Sequence, residues 1–275
     1  MEHLRVNGFV MRVEQAGSAH APAVVLANSL AADLSMWDAQ AADLASDYRV
    51  IRYDMRGHGG SSSTAGDYSL SLLADDVLAL MDRLSVRKAH FIGLSLGGMV
   101  GQLLGAKASE RLESLTLCAT FADAPRQLWA DRVEAVRKGG VGPLVQGTLE
   151  RWFTPDFRQT SPEAVEAVGR MIAGTSVDGY AGCAAAIRDM DLTGVPERIT
   201  VPTFVLCAAQ DPSAPPPVMK DLHARIASAR YAEIENAAHL FTLEQPAATA
   251  ARSPAITAPP LPRFRGRRSS VVRAR

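Results

Sequence analysis

The stretch HFIGLSLGGMVG, residues 90–101, sets one serine between glycines at the junction of two apolar runs. An apolar run ends in Gly93-Leu94-Ser95-Leu96-Gly97, and a helix-compatible run, GGMVGQLLGAKA, begins at once. The spacing G-x-S-x-G places one serine on a turn so sharp between strand and helix that only small side chains fit beside it. Such a turn exposes Ser95 Oγ at the upper edge of a sheet and aims the amide of Leu96 at a reacting carbonyl oxygen. A serine hydroxyl is a poor nucleophile at neutral pH, so the chemistry requires a base and an acid that orients it.

On sheets that carry this turn the partners follow in the order serine, acid, histidine. Asp211 ends the strand-like FVLCAAQD, and His239 lies in IENAAHLFTLEQP, just behind a last strand-like run, ARYAEIEN. Asp123, close behind LTLCAT, is the alternative acid. His3, His20 and His90 precede the serine, and His223 sits inside the helix-like PVMKDLHARIA, which makes it a helix-face residue. The candidate catalytic set is therefore Ser95, Asp211 and His239.

Outward from this turn, strands and helices alternate. NGFVMRVEQAG has the period of two of a half-buried hairpin strand, whereas AVVLAN (23–28), YRVIRYD (48–54) and KAHFIGL (88–94) are more continuously apolar, as strands covered on both faces are. Between them lie MWDAQAADLAS and YSLSLLADDVLALMDRLS. The second has apolar residues at Leu70, Leu73, Val77, Leu80, Met81 and Leu84, behind the cap candidate Ser69. LESLTLCAT and VPTFVLCAAQD supply later strands. The order predicts an α/β architecture, a mostly parallel doubly wound sheet. Residues 121–191 contain no convincing strand and read as several short helices, a helical lid inserted between late strands over their carboxyl ends. The expected organisation is a core of residues 1–120 and 192–250, a lid of 121–191 and a tail of 251–275. That tail is basic and rich in Pro and Arg, has no acidic residue and no sustained period, and is expected to be disordered.

The 275 residues carry 29 Lys and Arg against 29 Asp and Glu, so the balance gives no reason to expect a nucleic-acid or membrane-surface partner and favours small-molecule chemistry. Cys118, Cys183 and Cys207 are isolated in apolar or Ala-rich surroundings without metal-ligand spacing, which reads as reduced core cysteines in the cytoplasm. No export signal or membrane anchor is recognisable. RYDMRGHGGSS, residues 52–62, lacks G-x-G-x-x-G and a phosphate-loop lysine. It is expected to be a tight structural turn pinned by Asp54 and Arg56.

GLSLGG, RYDMRGHGGS, AAQDPSAPP and NAAHLFTLEQP, in this order, resemble the α/β-hydrolase family over roughly residues 5–246. The resemblance carries the family's triad onto Ser95, Asp211 and His239. Within the family it looks closest to the 3-oxoadipate enol-lactonases of the β-ketoadipate pathway, because Asn28-Ser29-Leu30 stands where most members carry His-Gly. That likeness implies hydrolysis of a small lactone or ester with no metal or organic cofactor, and an oxyanion hole formed by the amide of Leu96 with that of Ser29 or Leu30. It also implies a substrate carboxylate, for which Trp129, Arg132 and Arg188 in the lid helices are candidates. A general carboxylesterase, a carbon–carbon hydrolase, a perhydrolase and a non-catalytic binding protein of the same fold are the alternatives, and the basic tail leaves a minor nucleic-acid-binding one. Three departures stand out. Ala31 and Ala237 replace glycines and could each require a left-handed backbone, at about 1 kcal/mol, and the tail replaces a final packed helix.

Overall fold

The computed structural model describes residues 1–227, 229–250 and 252. Among them the strands are β1 (Glu2–Val6), β2 (Phe9–Ala16), β3 (Ala23–Ala27), β4 (Arg49–Tyr53), β5 (Ala89–Leu94), β6 (Leu112–Cys118), β7 (Thr203–Ala208) and β8 (Ala229–Ile234). They form one sheet in the order β1-β2-β4-β3-β5-β6-β7-β8. β1, β2 and β4 pair antiparallel, and every later pairing is parallel. β1 extends the expected pattern: Asn7-Gly8, both at positive φ, makes a tight hairpin turn of the Asn-Gly kind. β2 alternates, with Phe9, Met11 and Val13 inward, whereas every residue of β3 and β7 is buried, as strands covered on both faces must be.

The helices are α1 (Asp38–Leu44), α2 (Leu70–Arg83), α3 (Leu96–Lys107), α4 (Arg126–Gly139), α5 (Val145–Trp152), α6 (Pro155–Thr160), α7 (Pro162–Ala173), α8 (Val177–Arg188), α9 (Pro216–Arg225), α10 (Phe241–Glu244) and α11 (Pro246–Ala250). α2 starts where the sequence places it: the Ser69 hydroxyl accepts the Leu72 N–H at 3.1 Å, and Leu70, Leu73, Val77, Leu80 and Met81 are buried. α4 to α8 occupy the interval between β6 and β7, where no strand was expected. α6 has no counterpart in the sequence pattern. It is a short turn started by the Thr154 side chain, which accepts the Phe157 N–H at 3.2 Å, and by Pro155 at its first position.

The chain runs from β3 to β4 on one side and returns to β5 on the other, so the connections leave the carboxyl ends of β3 and β5 in opposite directions. Open α/β sheets hold ligands at such a switch point. Ser95 follows β5 there, and Asn28-Ser29-Leu30 follows β3.

The loop after β4 is pinned from both sides. The buried Arg56 guanidinium donates to Asp76 Oδ1 at 2.6 Å and to the Asn7 carbonyl at 2.7 Å, and it stacks over Phe9. Asp54 accepts the N–H groups of Leu34 at 2.7 Å and Gly60 at 2.8 Å. All three cysteines are buried and free. Among the described residues no helix is long and apolar enough to cross a membrane. The basic tail expected to be disordered lies, apart from Arg252, outside the described residues. Just before it, α11 packs on α1.

Candidate active site

Ser95 stands between β5 and α3 at φ 56° and ψ −112°, a conformation that costs about 1–3 kcal/mol for a residue with a Cβ. Its neighbours impose it. The Ser95 N–H donates to the Cys118 carbonyl at 2.8 Å, and the Ser95 carbonyl accepts the Thr120 hydroxyl at 2.8 Å and the Met99 N–H at 3.0 Å. The flanking glycines are required by close approach. A Cβ on Gly93 would lie 2.2 Å from the Gly97 carbonyl oxygen, and one on Gly97 would lie 2.4 Å from that of Ala27.

His239 lies in the loop between β8 and α10, and Asp211 follows β7. The buried His239 Nδ1–H donates to Asp211 Oδ2 at 2.8 Å, while Asp211 Oδ1 accepts the Ser213 N–H at 2.7 Å. This bond leaves Nε2 as the unprotonated nitrogen of the neutral ring. The loop bearing the acid is fixed to the loop bearing the base, because the Gln210 N–H donates to the Ala237 carbonyl at 2.9 Å. Asp123, the alternative acid, is exposed at the mouth of the cavity described below, and His239 takes its carboxylate partner from Asp211 instead. His223 lies on α9 with its ring 5.6 Å from that of Tyr231.

Ser95 and His239 open into one cavity of about 530 Å³, walled on one side by Ser29, Leu30 and Ala31. The Ser29 N–H already donates to the Met36 sulfur at 3.4 Å. The N–H groups of Leu30 and Leu96 have no acceptor among the described residues, and Leu96 opens α3, where helix N–H groups lack intrahelical partners. Ala31 adopts φ 67°, the left-handed conformation anticipated from its replacement of glycine. The expectation for Ala237 is corrected. The left-handed residue in that loop is Asn236, at φ 53°, whose short polar side chain tolerates the conformation.

The opposite wall comes from α4, α5 and α8. Trp129 and Arg132 both line the cavity, the Arg132 guanidinium 4.9 Å from the Trp129 ring centre. Arg188 does not line it. It ends α8, eight residues beyond the lining residue Tyr180 and so roughly 12 Å farther along the helix axis, and it pairs with Asp67 at 2.8 Å and with Asp189 beside a separate shallow groove. The second arginine of the cavity is Arg151, which donates to the Thr148 hydroxyl at 3.2 Å. Burial, and then the nearby Arg132, hold the Arg151 pKa below its usual value. Burial raises the Tyr180 phenol, against the opposing pull of the same two cations. Among the described residues no carboxylate pairs with Arg132 or Arg151. Sequence reasoning missed Thr148, Arg151 and Trp152, although their i, i+3, i+4 spacing in TLERW puts all three on one helical face.

A sequence profile of the alpha/beta hydrolase fold family matches residues 22–246. The chain is 39% identical to 3-oxoadipate enol-lactonase 2 of Acinetobacter baylyi over 84% of its own length and 87% of that protein's. It is 34% identical to 3-oxoadipate enol-lactonase 1 of the same organism, over 87% and 90%. Among solved structures, the enol-lactonase from Burkholderia xenovorans LB400 superposes with a TM-score of 0.90 at 36% identity, covering 93% of this chain and 99% of that one.

Proposed function

The chain belongs to the α/β-hydrolase family, and we propose that within it this protein is a serine hydrolase opening a small carboxylate-bearing enol-lactone, 3-oxoadipate enol-lactone, to 3-oxoadipate in aromatic-compound degradation. The observation that carries the substrate class is the cavity itself. It joins Ser95 and His239 to two guanidinium groups, Arg132 and Arg151, neither of which forms an ion pair with a carboxylate among the described residues. Both side chains are partly buried, and a substrate carboxylate entering the cavity would find two guanidinium groups able to form charge-assisted hydrogen bonds that fix the lactone's orientation. Helices α4 to α8 act as the lid that carries both cations, and the three buried thiols suit a cytoplasmic enzyme.

In this reading His239 Nε2 takes the proton of Ser95 Oγ as the oxygen bonds to the lactone carbonyl carbon, and the carbonyl π pair moves onto oxygen. Asp211 holds the tautomer and stabilises the imidazolium. The amides of Leu96 and Leu30 receive the oxyanion. Leu30 is preferred to Ser29 because its N–H is uncommitted, and each such donor contributes about 3 kcal/mol to the transition state. Collapse re-forms the carbonyl and breaks the bond to the ring oxygen. That oxygen leaves as an enolate, takes the proton from His239 and tautomerises to the ketone. Water, deprotonated by His239, then attacks the acyl-serine. Its collapse returns the proton to Ser95 and releases the carboxylic acid. No cofactor enters these steps.

Quenching a reaction with a slowly deacylating aryl ester and weighing the protein tests the scheme. An acyl group on the peptide containing Ser95, absent after Ser95→Ala, supports it, and an acyl group that survives the substitution refutes it.

A further inference from the structure

Glu244 is a buried acid beside the catalytic loop that the proposed chemistry does not use. It ends α10, and its carboxylate spans two elements. Oε2 accepts the N–H of Ala238, the residue before His239, at 2.8 Å. Oε1 accepts the Thr154 N–H at 3.1 Å and the Thr154 hydroxyl. On the other side of His239, the Leu240 N–H donates to the Trp152 carbonyl at 3.0 Å, and the Trp152 ring centre lies 6.0 Å from that of His239. Both backbone neighbours of the histidine are thus tied to the segment that ends α5 and starts α6. α5 is also the helix that carries Thr148 and Arg151 into the cavity.

From this connection we infer that Glu244 is a positioning residue, which sets the His239 imidazole in register with the substrate-binding face of α5. The inference rests on the hydrolase reading above. A neutral side chain cannot reproduce the bridge. An amide in place of the carboxylate turns an NH₂ group toward either the Ala238 N–H or the Thr154 N–H, so one buried donor loses its acceptor. The base is then held from one side only. Displacements of about 1 Å at a reacting centre cost on the order of a hundredfold in rate.

The test compares wild type, Glu244→Gln and Thr154→Val, the last keeping the Glu244 carboxylate but removing the hydroxyl that donates to it and that also accepts the Phe157 N–H at the start of α6, so that a second variant can be read if Glu244→Gln does not fold. A fluorophosphonate probe labels an activated serine, and its labelling rate as a function of pH reports the base that activates it. The low-field proton resonance of the His239 Nδ1–H bond to Asp211 reports the imidazole's placement without any turnover. The inference expects labelling slowed by about ten- to a hundredfold in Glu244→Gln, less in Thr154→Val, with a displaced pH profile and a moved or broadened low-field proton in protein that remains folded. Wild-type rates, pH profile and resonance in a folded Glu244→Gln protein overturn it, including when the melting temperature alone has dropped. If wild type shows no Ser95-dependent labelling, the hydrolase reading fails instead, and the resonance alone then decides the positioning role: a moved signal sustains it, an unmoved one overturns it.

Discussion

Gly57 and Gly179 meet backbone to backbone. A Cβ built on Gly57 would lie 2.3 Å from the Gly179 Cα, and one on Gly179 would lie 2.5 Å from the Gly57 Cα. The Ser176 N–H donates to the Gly57 carbonyl at 3.0 Å across the same contact, so the loop after β4 is stitched to the start of α8 just before the cavity-lining Tyr180. No side chain at either position can move aside, because the obstacle is backbone. Gly179→Ala should therefore lower the unfolding free energy by about 1–3 kcal/mol, the range for overpacking a filled interior. Gly57→Ala should cost more, since φ at that position is also +69°. Urea unfolding checks both, and an unchanged midpoint for Gly179→Ala would show that this contact is not close-packed.

The same loop carries a pH signature. His58 is fully buried. Its Nδ1–H donates to the Arg56 carbonyl at 2.9 Å, and its Nε2 has no partner among the described residues. Burial lowers its pKa from 6.5 to about 4. Between those values the unfolded chain binds a proton that the folded chain refuses, so stability from this group is complete above about pH 6.5 and falls as pH drops toward 4, by about 3 kcal/mol in total. Asp54, pushed up to about 6 chiefly by burial, works in the opposite sense over part of the range. Asp54 thus offsets part of the histidine's effect, and the difference between wild type and His58→Asn isolates the histidine. Unfolding titrations at pH 7 and pH 4.5 should show the variant losing less stability on acidification than wild type. Equal losses would mean that His58 titrates normally.

If Arg132 and Arg151 receive a substrate carboxylate, removing one should discriminate between substrates. Arg151→Met should reduce kcat/KM for the anionic lactone by about ten- to a hundredfold, the value of one or two charge-assisted hydrogen bonds, and should cost a neutral aryl acetate much less. Arg188→Ala, whose guanidinium is paired with Asp67 and Asp189 outside the cavity, should leave the lactone rate unchanged. Parallel steady-state assays on the two substrates check this, and equal losses on both after Arg151→Met would exclude a charge-reading role.

Much of this arrangement is legible in the residues because local constraint and chain order coincide. Gly93 and Gly97 betray the turn at Ser95, since no larger residue fits there, and the continuous apolar runs of β3, β5 and β7 announce a sheet covered on both faces. Ser69 and the period of Leu70 to Met81 locate α2. What escapes is decided by long-range packing. β1 is short and mostly exposed, and its period is hidden by Glu2, His3 and Arg5. α6 depends on a single threonine cap followed by proline. Arg188 and Arg151 look alike as isolated basic residues in helical segments, and only the three-dimensional course of α5 and α8 turns one inward and leaves the other at a helix end. Glu244 reads as an ordinary polar residue near a helix terminus, because both of its partners, Thr154 and Ala238, are brought to it by the fold.

The most direct test is the ultraviolet-monitored hydrolysis of 3-oxoadipate enol-lactone by purified wild type and Ser95→Ala. Wild type should open the ring rapidly and the variant should lose at least about a thousandfold, as expected when an activated nucleophile is removed and only binding and the oxyanion donors remain. Folded wild-type protein that leaves the lactone intact, or a Ser95→Ala variant that opens it at the wild-type rate, would contradict the proposed function.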